Sequence, residues 1–143
     1  MAIFDAMFEL SSTQVLTNSS AASTNIIDWT AADLEMGAGE PIWLNVQVAA
    51  TFGGGTSVTV ALVQDSVAPV DGSSIVIYQT PAITSLTAGQ WIMRMPLPYN
   101  VDEQQIMGLY YTVAGTYTKG SLHAWLDHGP QSSFDTQVTT SNI

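Results

Sequence analysis

From Ile42 onward the chain alternates. Ile42, Leu44, Val46, Val48, Ala50 and Phe52 interleave with Trp43, Asn45, Gln47, Ala49 and Thr51. A period of two over this length marks a strand with one face against a core. Val58, Val60 and Leu62 repeat the pattern against Ser57, Thr59 and Ala61. Gly53-Gly54-Gly55 separates the two runs and predicts a hairpin turn or a bulge, because glycine accepts positive φ freely. Residues 74–80, 91–97, 106–114 and 117–127 read as four further strands. Pro96 and Pro98 put the far end of 91–97 at a sheet edge or bulge. Gly120 interrupts the last. Two weaker candidates precede them all, at 13–17 and 24–29.

The links carry turn chemistry. Pro69-Val70-Asp71-Gly72 fits a β-turn, and Gly89, Asn100 and Gly115 mark others. Helix signals are confined to 30–37, where Thr30 can cap, Asp33 follows three residues later and Gly37 can stop. One or two helical turns and a plain loop are both open there. About eight strands with turn signals every 8–12 residues predict an all-β sandwich or barrel. The 143 residues form one domain, 1–143. Residues 1–25, rich in Ser, Thr and Ala, are an edge strand or an arm that orders against a partner. Residues 131–143 are a polar tail.

Composition narrows the function. Only 10% of the residues are charged, and 12 of those are acidic against two cations, Arg94 and Lys119, for a net charge of −10. Nucleic-acid binding needs a Lys/Arg footprint that displaces phosphate counterions, and two cations do not supply one. Anionic membrane surfaces are excluded on the same ground. The chain has no cysteine, hence no disulfide, thiolate nucleophile or Cys-based metal site. The start MAIFDAMFEL has no basic n-region, and no apolar run approaches the ~20 residues that span a bilayer. In place of surface Lys and Glu stand Ser, Thr, Gln and Asn. Interfaces are depleted in Lys and Glu, so this surface fits a subunit covered by other subunits.

Candidate chemistry is sparse. His123 and Asp127 share a face of one strand, but i and i+4 lie about 13 Å apart at ~3.3 Å per residue, too far to share an ion. The acidic pairs Asp33/Glu35 and Asp102/Glu103 are loop neighbours, and Asp65 and Asp71 flank a loop without the spacing of a calcium site. No G-x-S-x-G elbow is present. No catalytic residue, cofactor site or metal site is therefore expected. Trp43 and Trp125 fall on the faces opposite the apolar rows of their strands, which predicts a second buried surface or an interface.

A set of short motifs completes the reading. Asp5-Ala6, Ser11, Gln14, Thr17, Ser23-Thr24-Asn25 and Asp28 precede a Gly39-Glu40-Pro41 step into the alternating strand. Leu109-Tyr110-Tyr111-Thr112-Val113-Ala114-Gly115-Thr116-Tyr117-Thr118-Lys119-Gly120 follows near the end. Over nearly its whole length the chain resembles the Bbp16-like capsid cement proteins of tailed bacteriophages. The resemblance implies a jelly roll of eight antiparallel strands with an extended N-terminal segment. It also implies a dimer or trimer on the outer surface of an icosahedral shell, clamping neighbouring major capsid proteins against internal DNA pressure. Partners would be the major capsid protein and the chain itself, with no nucleic acid or membrane. Expected contacts with capsid or sister copies are Phe4, Phe8, Leu10, Asp28, Trp29, Leu34, Met36 and Trp43. A carbohydrate- or host-binding jelly roll of a tail or fibre is the alternative, with Trp43, Trp91 and Trp125 as its platform.

Overall fold

A computed structural model describes residues 6–29, 41–98 and 105–128. A 3-10 turn, Ala6–Phe8, leads into β1 (Glu9–Val15), β2 (Ala21–Ala22), β3 (Ile27–Asp28), β4 (Trp43–Gly54) and β5 (Ser57–Asp65). Then come β6 (Ile75–Gln79), β7 (Trp91–Pro96), β8 (Ile106–Ala114) and β9 (Tyr117–Asp127). No α-helix occurs among the described residues. The possible helix at 30–37 and the tail at 131–143 lie outside them.

The strands form two antiparallel sheets, β1-β9-β4-β7 and β2-β8-β5-β6, with β3 also paired to β8. β2 and β3 are two pieces of one strand: Ala21 and Ala22 face Tyr111 and Tyr110, and Ile27 and Asp28 face Met107 and Ile106. Counted as one, they leave eight strands in the orders 1-8-3-6 and 2-7-4-5, which is the jelly roll. The long strands carry the β-branched and aromatic residues that fit a pleated, packed surface. Leu44, Val46 and Val48 of one sheet meet Val58, Val60, Leu62, Leu109 and Tyr111 of the other in the core.

Three expectations change. Gly53-Gly54-Gly55 does not close a hairpin between paired neighbours, since β4 and β5 belong to different sheets. The tract is a bulged corner. The β4–β9 ladder slips at Ala50, Gly53 and Gly54, and Gly54 and Gly55 take φ of 83° and 56°. The Gly55 and Thr56 amides then donate to the Thr116 and Ala114 carbonyls of the matching corner between β8 and β9. Both corners turn on glycine because the chain must leave one sheet for the other within a few residues.

The turn expected at 69–72 sits two residues later. Ser74 N–H closes it on the Asp71 carbonyl, and the Asp71 carboxylate takes the Ser73 amide and hydroxyl. The third change concerns β4. Alternation predicts one dry face, yet Leu44–Val48 are buried without a break, and so are residues 120–126 of β9. The centre of this sheet is enclosed on both sides. Its outer row is Asn45, Gln47, Ser121, His123 and Trp125.

Candidate interaction surfaces

The residues of the N-terminal motif meet in one hydrogen-bonded seam. Ser11 Oγ lies 2.7 Å from Tyr111 Oη, joining β1 of one sheet to β8 of the other. Ser11 also donates to Gln14 Oε1, which accepts from the Thr24 amide and hydroxyl, while Gln14 Nε2 donates to the Ala22 carbonyl. Asn25 satisfies the β1 edge from outside: its amide donates to the Leu10 carbonyl and its Nδ2 to the Glu9 carbonyl. Ser23 stitches the corner to β8, giving its amide to the Leu109 carbonyl and accepting the Leu109 amide on Oγ. Gly108 makes this fit possible, because an added Cβ would stand 3.1–3.3 Å from Val70, Ile26 and Ser23. The seam explains why one strand is split into β2 and β3: the chain leaves the ladder at 23–26 to close the neighbouring edge. Burial drives the Tyr111 phenol strongly upward, against the Ser11 hydrogen bond, so it stays a neutral hydroxyl.

The outer row of the first sheet carries the titratable pair. His123, 1% exposed, holds Nε2 3.3 Å from Glu9 Oε1. Burial lowers its pKa below the ordinary 6.5, and the Glu9 charge opposes that without cancelling it. Beside it Trp125 is fully buried and packs on His123 and Trp91, with ring centroids 5.1 and 5.8 Å away. Gln47 Nε2 donates to the Gly89 carbonyl. Arg94 lies over the Trp91 ring, 4.5 Å from its centroid, as a cation–π cap. The second surface predicted from Trp125 is thus inside the domain, and Trp43 on the same face is half-buried. Three tryptophans do not make an open sugar platform here: one is buried and one is capped by Arg94.

His123 and Asp127 stay apart as strand spacing requires, facing Gln47 and Trp43 respectively. Among the described residues no three His, Asp or Glu side chains converge on one point. Asp65 and Asp71 serve a loop. Asp65 accepts from the Ser74 hydroxyl and the Val67 amide, and these bonds hold its carboxyl below the usual range. The Ser73 hydroxyl and amide do the same for Asp71.

The expected contact residues divide. Phe4, Leu34 and Met36 lie outside the described residues. Phe8 is 41% exposed at the end of the 3-10 turn, next to Met7 at 87%. Asp28 is half-buried on β3, where its carboxylate accepts from Gln105 Nε2 at 3.4 Å. Leu10 and Trp29 are corrections: at 2% and 7% exposure their side chains fill the sandwich core, so they offer a partner almost no surface. Leu10 turns inward because the β1 ladder slips beside it, between Glu9 and Ser11. Sequence reasoning missed a second exposed apolar group, Val67, Ile75, Val76 and Tyr78. Its signal was the unbroken run Ile75-Val76-Ile77-Tyr78, apolar at both parities in a strand that cannot bury both.

Among curated proteins no sequence matches this chain. A family model, Bbp16, matches residues 10–126, a span that holds all nine strands but the first residue of β1 and the last of β9. The seam residues Ser11, Gln14, Ser23, Thr24, Asn25 and Tyr111 all lie within it. By that match the chain belongs to the Bbp16 family, which is phage-related.

Proposed function

We propose that this protein is a structural component of a phage virion that cements the outer surface of the capsid by bridging neighbouring major capsid proteins. The observation that carries the reading is the family match across the whole jelly roll. The physical chemistry agrees with it. A clamp needs a body that does not deform, and this one has a core between the sheets and a sheet whose centre is enclosed on both faces. It needs apolar surface to dock, and Met7 and Phe8 present it at the N-terminal turn. A net charge of −10 opposes contact with packaged DNA and suits the outside of the shell. Repetition of modest contacts by symmetry supplies avidity without any one contact being strong. Self-association as a dimer or trimer belongs to the same proposal.

Cryo-EM of purified virions tests it. The expected result is density for the jelly roll at repeated positions on the outer shell, each copy touching more than one capsid subunit. Density confined to the tail, or none, overturns the proposal and favours host or glycan recognition.

A further inference from the structure

The two sheets end in four strand edges, and three are blunted in ways known to prevent stray pairing. The β1 edge is taken up by Gln14, Thr24 and Asn25. β7 carries the exposed Arg94 and ends on Pro96. β2 and β3 have two residues each. β6 is different. Its five residues, Ile75–Gln79, include no charge and no proline, and its free side pairs with no strand among the described residues. Ile77, the extra residue where the β5–β6 ladder slips, turns into the core. Ile75, Val76 and Tyr78 are left 53%, 51% and 43% exposed.

The preceding loop extends the strip. Val67, 68% exposed, donates its amide to Asp65, whose other carboxylate oxygen accepts the hydroxyl of Ser74, the residue before β6. Val67 is thereby tied beside the start of the strand. Asp71 closes the same loop. The result is an apolar strand edge with two carboxylates at one end.

We infer that β6 is a docking edge that receives an extended segment of another protein as an added strand. The segment is apolar at alternate positions and flanked by Lys or Arg. Backbone pairing with the free edge would supply affinity and the exposed side chains would supply specificity. Charge selects this occupant over a second copy. Asp65 and Asp71 attract a basic flank, whereas a second copy would bring a further net charge of −10 to the same edge. The inference rests on the cement proposal, in which that segment belongs to a capsid subunit, and it goes beyond it by naming the edge and the chemistry of the segment.

Capsid shells freed of this protein are titrated with the wild-type chain, the double variant Val76→Lys/Tyr78→Lys, and the control Thr112→Lys/Ala114→Lys, which adds the same two charges at exposed sites on β8. The double variant is expected to bind about tenfold or more weakly with an unchanged melting temperature, because both positions are exposed. The control is expected to bind like wild type, and rising salt to weaken wild-type binding. Equal binding by wild type and double variant overturns the edge and leaves the cement proposal standing. Failure of the wild type to bind any shell overturns both. A wild-type oligomer that the double variant splits into monomers in sedimentation also overturns the inference, since the occupant would then be a second copy.

Discussion

At the scale of single residues the seam is the part of the molecule most exposed to test. Gln14 bonds Ser11, Ala22 and Thr24 at once, so truncating it leaves several donors and acceptors without partners in a closed edge. Gln14→Ala is expected to cost about 1–3 kcal/mol, read as a lower urea midpoint with unchanged slope. Tyr111→Phe removes the hydrogen bond that joins Ser11 of one sheet to Tyr111 of the other and is expected to cost about 1–3 kcal/mol as well, because Ser11 is fully buried. A wild-type-like midpoint for both would mean that the seam is incidental to stability. His123 gives a pH prediction with a definite sign. Its folded pKa lies below 6.5, so the unfolded state binds the extra proton as pH falls through 6.5. Its contribution is fully present above pH 6.5 and is lost on acidification through the interval down to its folded value. His123→Gln is expected to flatten that part of the stability-versus-pH curve, measured by denaturant titration at successive pH values.

At the scale of elements the strands were legible and their partners were not. Period two placed 106–114 and 117–127 to the residue as β8 and β9, because β-branched and aromatic residues mark a packed pleat whatever lies beside it. The same signal says nothing about which sheet a strand joins, so a glycine tract between two alternating runs read as a hairpin turn or a bulge and proved to be a bulged corner between sheets. Alternation also hid the enclosure of Asn45 and Gln47, since polar residues read as solvent-facing until Gln47 is seen to bond the Gly89 carbonyl and Asn45 to pair across from the buried Trp125. Ser11, Gln14 and the 23–25 corner were visible as a motif but not as a seam, because their partners lie up to 100 positions away in sequence. Pairing now predicts how the elements loosen. β9 lies between β1 and β4, while β6 lies on a free edge with four of its five residues exposed. Backbone amides of β9 are expected to exchange with solvent only on global unfolding, and those on the free side of β6 without measurable protection, in native-state hydrogen exchange. Strong protection along all of β6 in the isolated chain would mean that its edge is already occupied.

For the whole molecule, the buried state of Leu10 and Ser11 sets where the N-terminal segment can be cut. A deletion through residue 12 removes two buried residues of β1 and the Tyr111 hydrogen bond, so it unfolds an edge rather than testing a contact. A deletion of residues 1–7 stops short of Glu9, whose carboxylate faces His123, and takes with it Met7, whose side chain is 87% exposed. If this segment docks on the capsid, the shortened chain keeps its urea midpoint and loses occupancy on reconstituted shells. If it does not, both stay at wild-type values and the contact falls to other surfaces, the β6 edge first among them. Salt separates the two kinds of contact. Docking through Met7 and Phe8 is apolar and changes little with ionic strength, whereas a basic segment beside Asp65 and Asp71 is screened within about 10 Å at 0.1 M salt. Occupancy of the shortened chain is therefore expected to fall more steeply with salt than that of the full chain, because the screened contact then carries a larger share of the binding.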